Sequence, residues 1–569
     1  MLLLPLTLHL LVPAPIEPVF NGDANRHVMT SVFFRDLLVD LPVADPKGYA
    51  TDYYEQYPAL GLLIWPPLFH GITGTLMWLT GTSVWAARAV VFLSYLGAAI
   101  FLKRLCDRRL PYDVSAVTVL LFMMLPMTFQ YGRYVMLEMT TLAFGLGCLD
   151  QFDLWLRSHS DDRKTGRHSV RHRHLYFAAA CAAFAALTRF DAVVLLPTLL
   201  IWTLIQKQWK ALLSKHVIGA TLVAVMLVGP TYGLIWREMG DLHLRQATES
   251  VGGESSSFLA DGCWTFYLKA LPDQVGWPLL AFSVIGLAAC VRHRFANLNV
   301  FIAVLLGTYL TFTPLAELRA RHTIYWLPAF AVFAAIGATQ IARRLSNFTN
   351  RTWLPAQCLL LVLLLAGTGR ATLRQPVFLA NGYAKAAKII LQSTTPGDVI
   401  LVDAWWDGNL IYQLRHHDPN RSRHVRRGDK LLYDFTSVPN IDFQSFVQTD
   451  ADILHAIQDA DVSCIVFEDP QPFSQIEISQ QLRTLVQSMP KVFPPIESLD
   501  VQVRFPQARP FCLRILRVNQ YELQHLLNQM SQPADVRALP SVPENSVRRG
   551  SALIARPFAR RSSRRKLSL

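Results

Sequence analysis

The sequence predicts a polytopic α-helical membrane protein that carries a C-terminal extracytoplasmic α/β domain. Three observations point there. Apolar runs of roughly 16–22 residues recur through the first two thirds of the chain, long enough to cross a bilayer. The loops between them alternate between basic and sparsely charged. After Gly369 the long runs give way to short apolar strands interleaved with helical stretches. Composition agrees: 52% of the 569 residues are hydrophobic and 17% are charged, against about 25% charged in soluble domains.

The runs mark about eleven spans, near 1–16, 85–102, 113–130, 139–156, 175–187, 190–205, 217–235, 276–291, 299–314, 324–341 and 353–369. The first is short and has no basic residue before it, so a signal-like segment ending near Val12-Pro13-Ala14 is the alternative. Pro13 and Pro15 suit a membrane exit, which favours a span.

Orientation follows from the loops. One set holds Lys103, Arg104, Arg108 and Arg109, then Arg157, Arg163, Lys164, Arg167, Arg171 and Arg173. Lys207, Lys210 and Lys215 follow, then Arg292 and Arg294, then Arg343, Arg344 and Arg351. Short basic loops stay in the cytoplasm. The segments 17–84, 131–138, 188–189, 237–275 and 315–323 are therefore expected outside, as is everything after 370. The expected location is a bacterial inner membrane. The run Pro58 to Gly81 is apolar enough to span, but counting it would break the alternation. Pro66-Pro67 and its scattered glycines predict a broken interfacial or re-entrant helix instead.

The net charge of +13 does not indicate nucleic acid. Arg548, Arg549, Arg556, Arg560, Arg561, Arg564, Arg565 and Lys566 sit in the last stretch, and most other basic residues flank apolar runs. Eight cysteines show no metal-ligand spacing. Cys148, Cys181, Cys290 and Cys358 read as small core residues, while a Cys464–Cys512 disulfide is left open.

Three domains follow: a transmembrane domain over 1–369, an extracytoplasmic α/β domain over 370–531, and a basic, disordered tail over 532–569. Within the second, helices are expected at 383–391, 407–414, 450–458 and 476–489, with strands at 398–402, 463–467, 501–505 and 512–518. No Gly-x-Gly-x-x-Gly or P-loop is present, so no nucleotide site is implied.

Chemistry-bearing residues gather at the outer membrane edge. Asp23, in Phe20-Asn-Gly-Asp23, is either a helix N-cap or a general base at the membrane surface. His27 would follow one turn on. Glu138 opens a span, where a carboxylate is costly unless solvated, paired or used. A surface pair with Arg133 is its plainest explanation. The group Glu317-Leu-Arg319-Ala-Arg321-His322 supplies guanidinium groups suited to a phosphate, or interfacial anchors. Arg189 with Asp191 reads as a mutual ion pair.

The order of these features resembles the membrane glycosyltransferases of the GT-C class. The resemblance lies near the protein O-mannosyltransferase and aminoarabinose-transferase branch, which is glycosyltransferase family 39-like. It is carried by Phe20-Asn-Gly-Asp23, Tyr57-Pro58, Pro66-Pro67-Leu68, Ser83-Val-Trp-Ala-Ala-Arg88, Glu138, and Arg321-His322 with Pro328, over most of 17–345. It implies inverting transfer of a sugar from a polyprenyl-phosphate donor to an extracytoplasmic protein, lipid or glycan. Asp23 and Glu138 are the implied catalytic acids; Arg321, His322 and Arg133 are the implied contacts of the donor phosphate. Many relatives have Asp-Glu where this chain has Asp23-Ala24, and often Asp where it has Glu138. No metal or other cofactor is expected. The rival readings are a secondary transporter and a non-catalytic scaffold for the tail domain. Few mid-membrane charges and no half-to-half repeat speak against the transporter.

Overall fold

The computed structural model describes residues 5–7, 9, 21–165, 172–248, 263–292, 296–315, 318–349, 353–375, 378–436, 442–470, 476–504 and 510–531. Most of the expected first span, the 532–569 tail, Arg351 and Glu317 lie outside the described residues.

The segment expected outside folds as helices α1 (Asn21–Asp40), α2 (Pro46–Gln56) and α3 (Leu68–Thr80). The bundle follows with α4 (Val84–Asp107), α5 (Tyr112–Met124), α6 (Pro126–Tyr131), α7 (Glu138–Thr165), α8 (Arg173–Ala186) and α9 (Leu195–Ile205). It continues with α10 (Lys215–Thr248), α11 (Cys263–Val275), α12 (Trp277–Arg292), α13 (Asn299–Phe312), α14 (Leu327–Thr349) and α15 (Trp353–Leu373). A 3-10 turn, Ala320–Trp326, leads into α14. Local chemistry sets several starts. Pro46 begins α2 behind Asp45, whose carboxylate accepts from Gly48 N, and the Ser83 hydroxyl caps α4 on Trp85 N.

Among the described residues, three helices are long and apolar enough to cross a membrane: Val84–Asp107, Lys215–Arg245 and Ala320–Leu345. The pair Trp264–Val275 and Trp277–Arg292, bent by 116°, makes four if it counts as one span. Four other expected spans are the shorter apolar helices Tyr112–Met124, Phe190–Ile205, Asn299–Phe312 and Leu359–Leu373. At about 1.5 Å per residue such helices fall short of the roughly 30 Å hydrocarbon core. The chain is a multi-pass membrane protein, with three or four clear spans among the described residues.

The run from Pro58 to Gly81 is broken as expected. Residues 58–67 are not helical, α3 begins behind Pro67, and Gly81 closes it at φ 86°. Gly74 lets α3 sit directly on α1: a Cβ there would lie 2.8 Å from Ser31 O and 2.9 Å from Arg35 N.

After α15 the chain builds a six-stranded sheet in the order β1-β7-β8-β6-β2-β3. The strands are β1 (Leu379–Asn381), β2 (Val399–Asp403), β3 (His424–Arg427), β6 (Val462–Asp469), β7 (Pro495–Arg504) and β8 (Phe511–Arg517). The pairs β2–β3 and β2–β6 are parallel and the rest antiparallel. A separate hairpin joins β4 (Tyr433–Thr436) to β5 (Asp442–Ser445). The helices are α16 (Tyr383–Ser393), α17 (Asp407–His417), α18 (Gly428–Leu431), α19 (Asp450–Asp459), α20 (Glu477–Ser488) and α21 (Gln520–Ser531). A capping box between Thr449 and Asp452 starts α19.

Alternation along the strands divides the core. Ile400, Val402, Cys464 and Val466 belong to a cluster continuous with the bundle and α1. Leu401, Ile465 and Phe467 point to the other face, under α19, α20 and α21. The sheet is thus built onto the face of the bundle that carries α1.

The open question of a Cys464–Cys512 disulfide is settled by register. On adjacent strands Cys464 faces Arg517 and Cys512 faces Asp469. A five-residue offset is about 17 Å, far beyond the roughly 7 Å a disulfide tolerates. Both thiols are free.

Candidate active site

Helix α1 begins at Asn21, so Asp23 lies inside its first turn and is not the N-cap. Its side chain remains 27% exposed, and Oδ2 accepts from Arg321 Nη1 at 2.8 Å. Arg321 sits in the 3-10 turn before α14, which Gln274 of α11 props from behind. Gln274 Nε2 donates to Ala320 O at 3.1 Å and Thr323 Oγ1 at 3.0 Å, and Trp326 Nε1 donates to Gln274 Oε1 at 2.8 Å.

The other edge of Arg321 meets Glu138. Arg321 Nε lies 3.8 Å from Glu138 Oε1, too far for a hydrogen bond. Glu138 is the first residue of α7 and its side chain is fully buried. Arg189 Nη1 donates to Glu138 Oε1. Arg189 also holds Asp191, with Nε on Oδ1 at 3.0 Å and Nη2 on Oδ2 at 2.8 Å. Tyr325 OH donates to Asp191 Oδ1 at 3.0 Å. The order along the cluster is therefore Asp23, Arg321, Glu138, Arg189, Asp191. Tyr131 is buried within electrostatic reach of the first four.

Among the described residues Arg321 Nε and Glu138 Oε2 make no hydrogen bond. Leaving buried polar atoms unpaired is costly, so these two atoms call for a water or a ligand group. The Arg321 fork spans two carboxylates and keeps one N–H directed at neither at bonding distance. An anionic oxygen could take that position.

The remaining expected residues divide. His322 adjoins Arg321, with its ring 5.7 Å from Phe312. His27 is buried one turn along α1, where its Nδ1 shares a hydrogen bond with His70 Nε2 at 3.1 Å, beside Trp65. Burial first, then the neighbouring His70, Arg189, Arg321 and Arg26, pushes His27 well below the usual histidine range. Burial holds His70 down at about 3. Both rings are neutral at pH 7. Arg133 lies over the Phe129 ring, 5.2 Å from its centroid, within electrostatic reach of Arg88 and His9. The simple Arg133–Glu138 surface pair is thus replaced by Arg189 and Arg321 on a buried carboxylate. The reason is that Arg189, just after α8, and Arg321, in the turn before α14, both reach the start of α7.

Sequence reasoning treated Arg189 and Asp191 as a self-contained pair and missed the bond to Glu138. The available signal was a basic residue between two short apolar runs, in a loop expected outside. Tyr131 and Gln274 carried no signal of their own. Also missed was the contact between the tail sheet and α1. Asn25 Nδ2 donates to Asn409 Oδ1 at 3.4 Å, and a Cβ on Gly408 would lie 2.4 Å from Asn25 Oδ1. Further along, Arg415 Nη2 and Tyr53 OH each donate to Asp36 Oδ2 at 2.6 Å.

No family profile matches the chain, and no curated protein does. Solved structures do. ArnT from Cupriavidus metallidurans in the apo state aligns with a TM-score of 0.58 at 15% identity, covering 91% of this chain and 98% of that one. The same protein bound to undecaprenyl phosphate aligns at 0.56 and 15%, covering 90% and 97%. The Archaeoglobus fulgidus oligosaccharyltransferase in the apo form aligns at 0.55 and 12%, covering 89% and 73%. The fold expected from the motifs, GT-C, is the fold of this chain.

Proposed function

We propose that the chain is an inverting glycosyltransferase that moves a sugar from a polyprenyl-phosphate donor to a hydroxyl of an extracytoplasmic acceptor. One observation carries the reading. Arg321 is held between a partly exposed carboxylate, Asp23, and a buried one, Glu138, with its Nε–H left without a hydrogen bond. A similar fold, ArnT from Cupriavidus metallidurans, binds undecaprenyl phosphate, which supports a polyprenyl-phosphate donor here.

In this reading the acceptor oxygen attacks the anomeric carbon while Asp23 takes its proton. The bond from that carbon to the phosphate oxygen breaks, and the phosphate leaves with an added negative charge. Arg321, seconded by His322, meets that charge, and its open N–H is the donor for it. Glu138, itself bonded by Arg189, lies 3.8 Å from the Arg321 Nε and orients the guanidinium. Arg133, over Phe129, has no part in the step as written. The step calls on guanidinium charge and uses no metal. The acceptor is a protein, lipid or glycan outside the cytoplasm. The eleven-span topology in a bacterial inner membrane, with 370–531 outside, belongs to the same proposal.

The test is to purify the protein in detergent, add a panel of polyprenyl-phosphate sugars, and follow release of free polyprenyl phosphate. Release by wild type and not by Asp23→Asn supports both reaction and base. Equal release removes Asp23 from the mechanism. Uptake of a solute into vesicles without release would favour a transporter.

A further inference from the structure

A cavity of about 240 Å³ opens between the ends of α5, α13 and α14. Its polar lining is Arg109, Asn297, Thr339, Gln340 and Arg343, and aliphatic side chains form the rest. It contains no carboxylate. It is smaller than the roughly 300–1,000 Å³ of pockets that enclose drug-sized ligands. It suits a headgroup and not a whole lipid.

Two helices locate it. From Leu327, close after Arg321, α14 runs on to Thr339–Arg343, about 18–24 Å further at roughly 1.5 Å per residue. From Glu138, α7 runs to Asp153, which binds Arg109, about 22 Å away by the same measure. Both paths end at the rim opposite Asp23. That rim carries the loops whose lysines and arginines mark the cytoplasmic side.

Positive charge is in surplus there. Four guanidinium groups, Arg104, Arg108, Arg109 and Arg157, converge on two carboxylates, Asp150 and Asp153. Among the described residues the buried Arg109 Nε has no hydrogen-bond partner, and no carboxylate pairs with the exposed Arg343. A polar, cationic end beside an aliphatic wall, at headgroup depth, is the chemistry of a site for an anionic amphiphile.

We propose that this cavity holds the phosphate headgroup of an anionic glycerophospholipid from the leaflet opposite the candidate active site. Arg343 and Arg109 face the phosphate, Asn297 and Gln340 supply neutral hydrogen bonds, and the acyl chains lie outside along the bundle. The proposal stands whether or not the chain transfers sugars.

The experiment is native mass spectrometry of the full chain in detergent, titrated with phosphatidylglycerol, phosphatidylcholine or inorganic phosphate. Three variants at exposed positions are compared: Arg343→Gln and Asn297→Asp in the cavity, and Arg344→Gln beside it. Phosphatidylglycerol is expected to bind more tightly than phosphatidylcholine. Arg343→Gln should weaken it about five-fold, the worth of one basic residue near an anionic lipid. Asn297→Asp, which adds a negative charge without changing size, should weaken it at least as much. Arg344→Gln, which removes the same charge outside the cavity, should leave it unchanged. Equal binding of the two lipids overturns the proposal. So does an equal loss in Arg344→Gln, which would mean general surface attraction. Displacement of the lipid by millimolar inorganic phosphate would make this a soluble-anion site, and would overturn the lipid assignment. Melting temperatures without lipid identify any variant that misfolds, and Arg343→Gln and Asn297→Asp then serve as independent checks.

Discussion

Arg321 Nη1 lies 2.8 Å from Asp23 Oδ2, across 298 residues of sequence. The contact joins α1 to the turn before α14, so it reports whether this end of the bundle is assembled. It also predicts how the two residues fail. Asp23→Asn keeps the size and loses the base, so sugar transfer should fall about a hundred- to ten-thousand-fold with little change in donor KM. Arg321→Lys should fall on the order of a hundredfold, because a single ammonium cannot reach both carboxylates as the fork does. Steady-state kinetics at matched protein amounts check both. A Lys variant with wild-type kcat would remove the bridging role.

Glu138 and Arg189 form a second test, one that separates folding from chemistry. Arg189→Gln leaves a fully buried carboxylate with Arg321 alone beside it. Breaking one side of such a pair costs about 3–5 kcal/mol. Glu138→Gln on its own leaves Arg189 with Asp191 and should cost less. The double variant should recover much of the lost stability and none of the activity, because Arg321 then has no second carboxylate beside its guanidinium. Melting curves and turnover of all three variants measure the coupling. Simple additivity in stability would show that the two side chains do not share one interaction.

The contrast between Asp23 and Arg189 shows what was legible in the sequence. Asp23, Glu138 and Arg321 stand out as charges at the edge of apolar runs. Arg189 has the same property but carries its own acid two positions on, and that local pair hid the long-range one. In the tail, β2, β6 and β8 were legible because their residues are apolar on both faces, under α16–α17 on one side and α19–α21 on the other. The edge strand β3, His424–Arg427, reads as a basic loop, and β4 and β5 are polar enough to pass for turns. Span count was the least legible. Asp150 and Asp153 sit inside α7, paid for by arginines that enter from the α4–α5 loop, so hydropathy alone misjudges that helix.

Asp36 and Arg415 tie the tail sheet to the helix that carries Asp23. Both side chains are buried, and Tyr53 completes the group on the same carboxylate oxygen. Asp36→Ala or Arg415→Ala should each destabilise the chain by about 3–5 kcal/mol by stranding the partner. Pairing both changes should cost less than the sum of the two. Transfer activity should drop in the single variants at temperatures where the bundle is still folded, because α1 loses its clamp. Melting in detergent, with limited proteolysis of the 370–531 region, reads this out. Protease sensitivity that appears only on global unfolding would mean that the sheet is not held by this pair.

Glu468 links stability to pH in the tail. Its carboxylate is buried at the end of β6 and accepts from Trp405 N at 3.2 Å and Trp406 N at 3.1 Å. Burial pushes it up to about 7, partly opposed by those two N–H groups and by Arg483. An unfolded glutamate titrates near 4.3, roughly. Between those values the folded chain keeps a proton that the unfolded chain has released, so stability falls as pH rises through the window and levels off above about 7. The full change is on the order of 4 kcal/mol. Glu468→Gln cannot ionise and still offers an oxygen to the Trp405 and Trp406 amides, so its melting temperature should not carry this slope, and at pH 8 it should exceed the wild type. The same amides begin the turn that places Asn409 against Asn25, two residues from Asp23. Transfer by the wild type should therefore weaken between pH 6 and pH 8 relative to Glu468→Gln, beyond the ionisation of the base that both proteins share. Parallel melting curves for the two proteins from pH 5 to 8 would show that Glu468 does not titrate in this range.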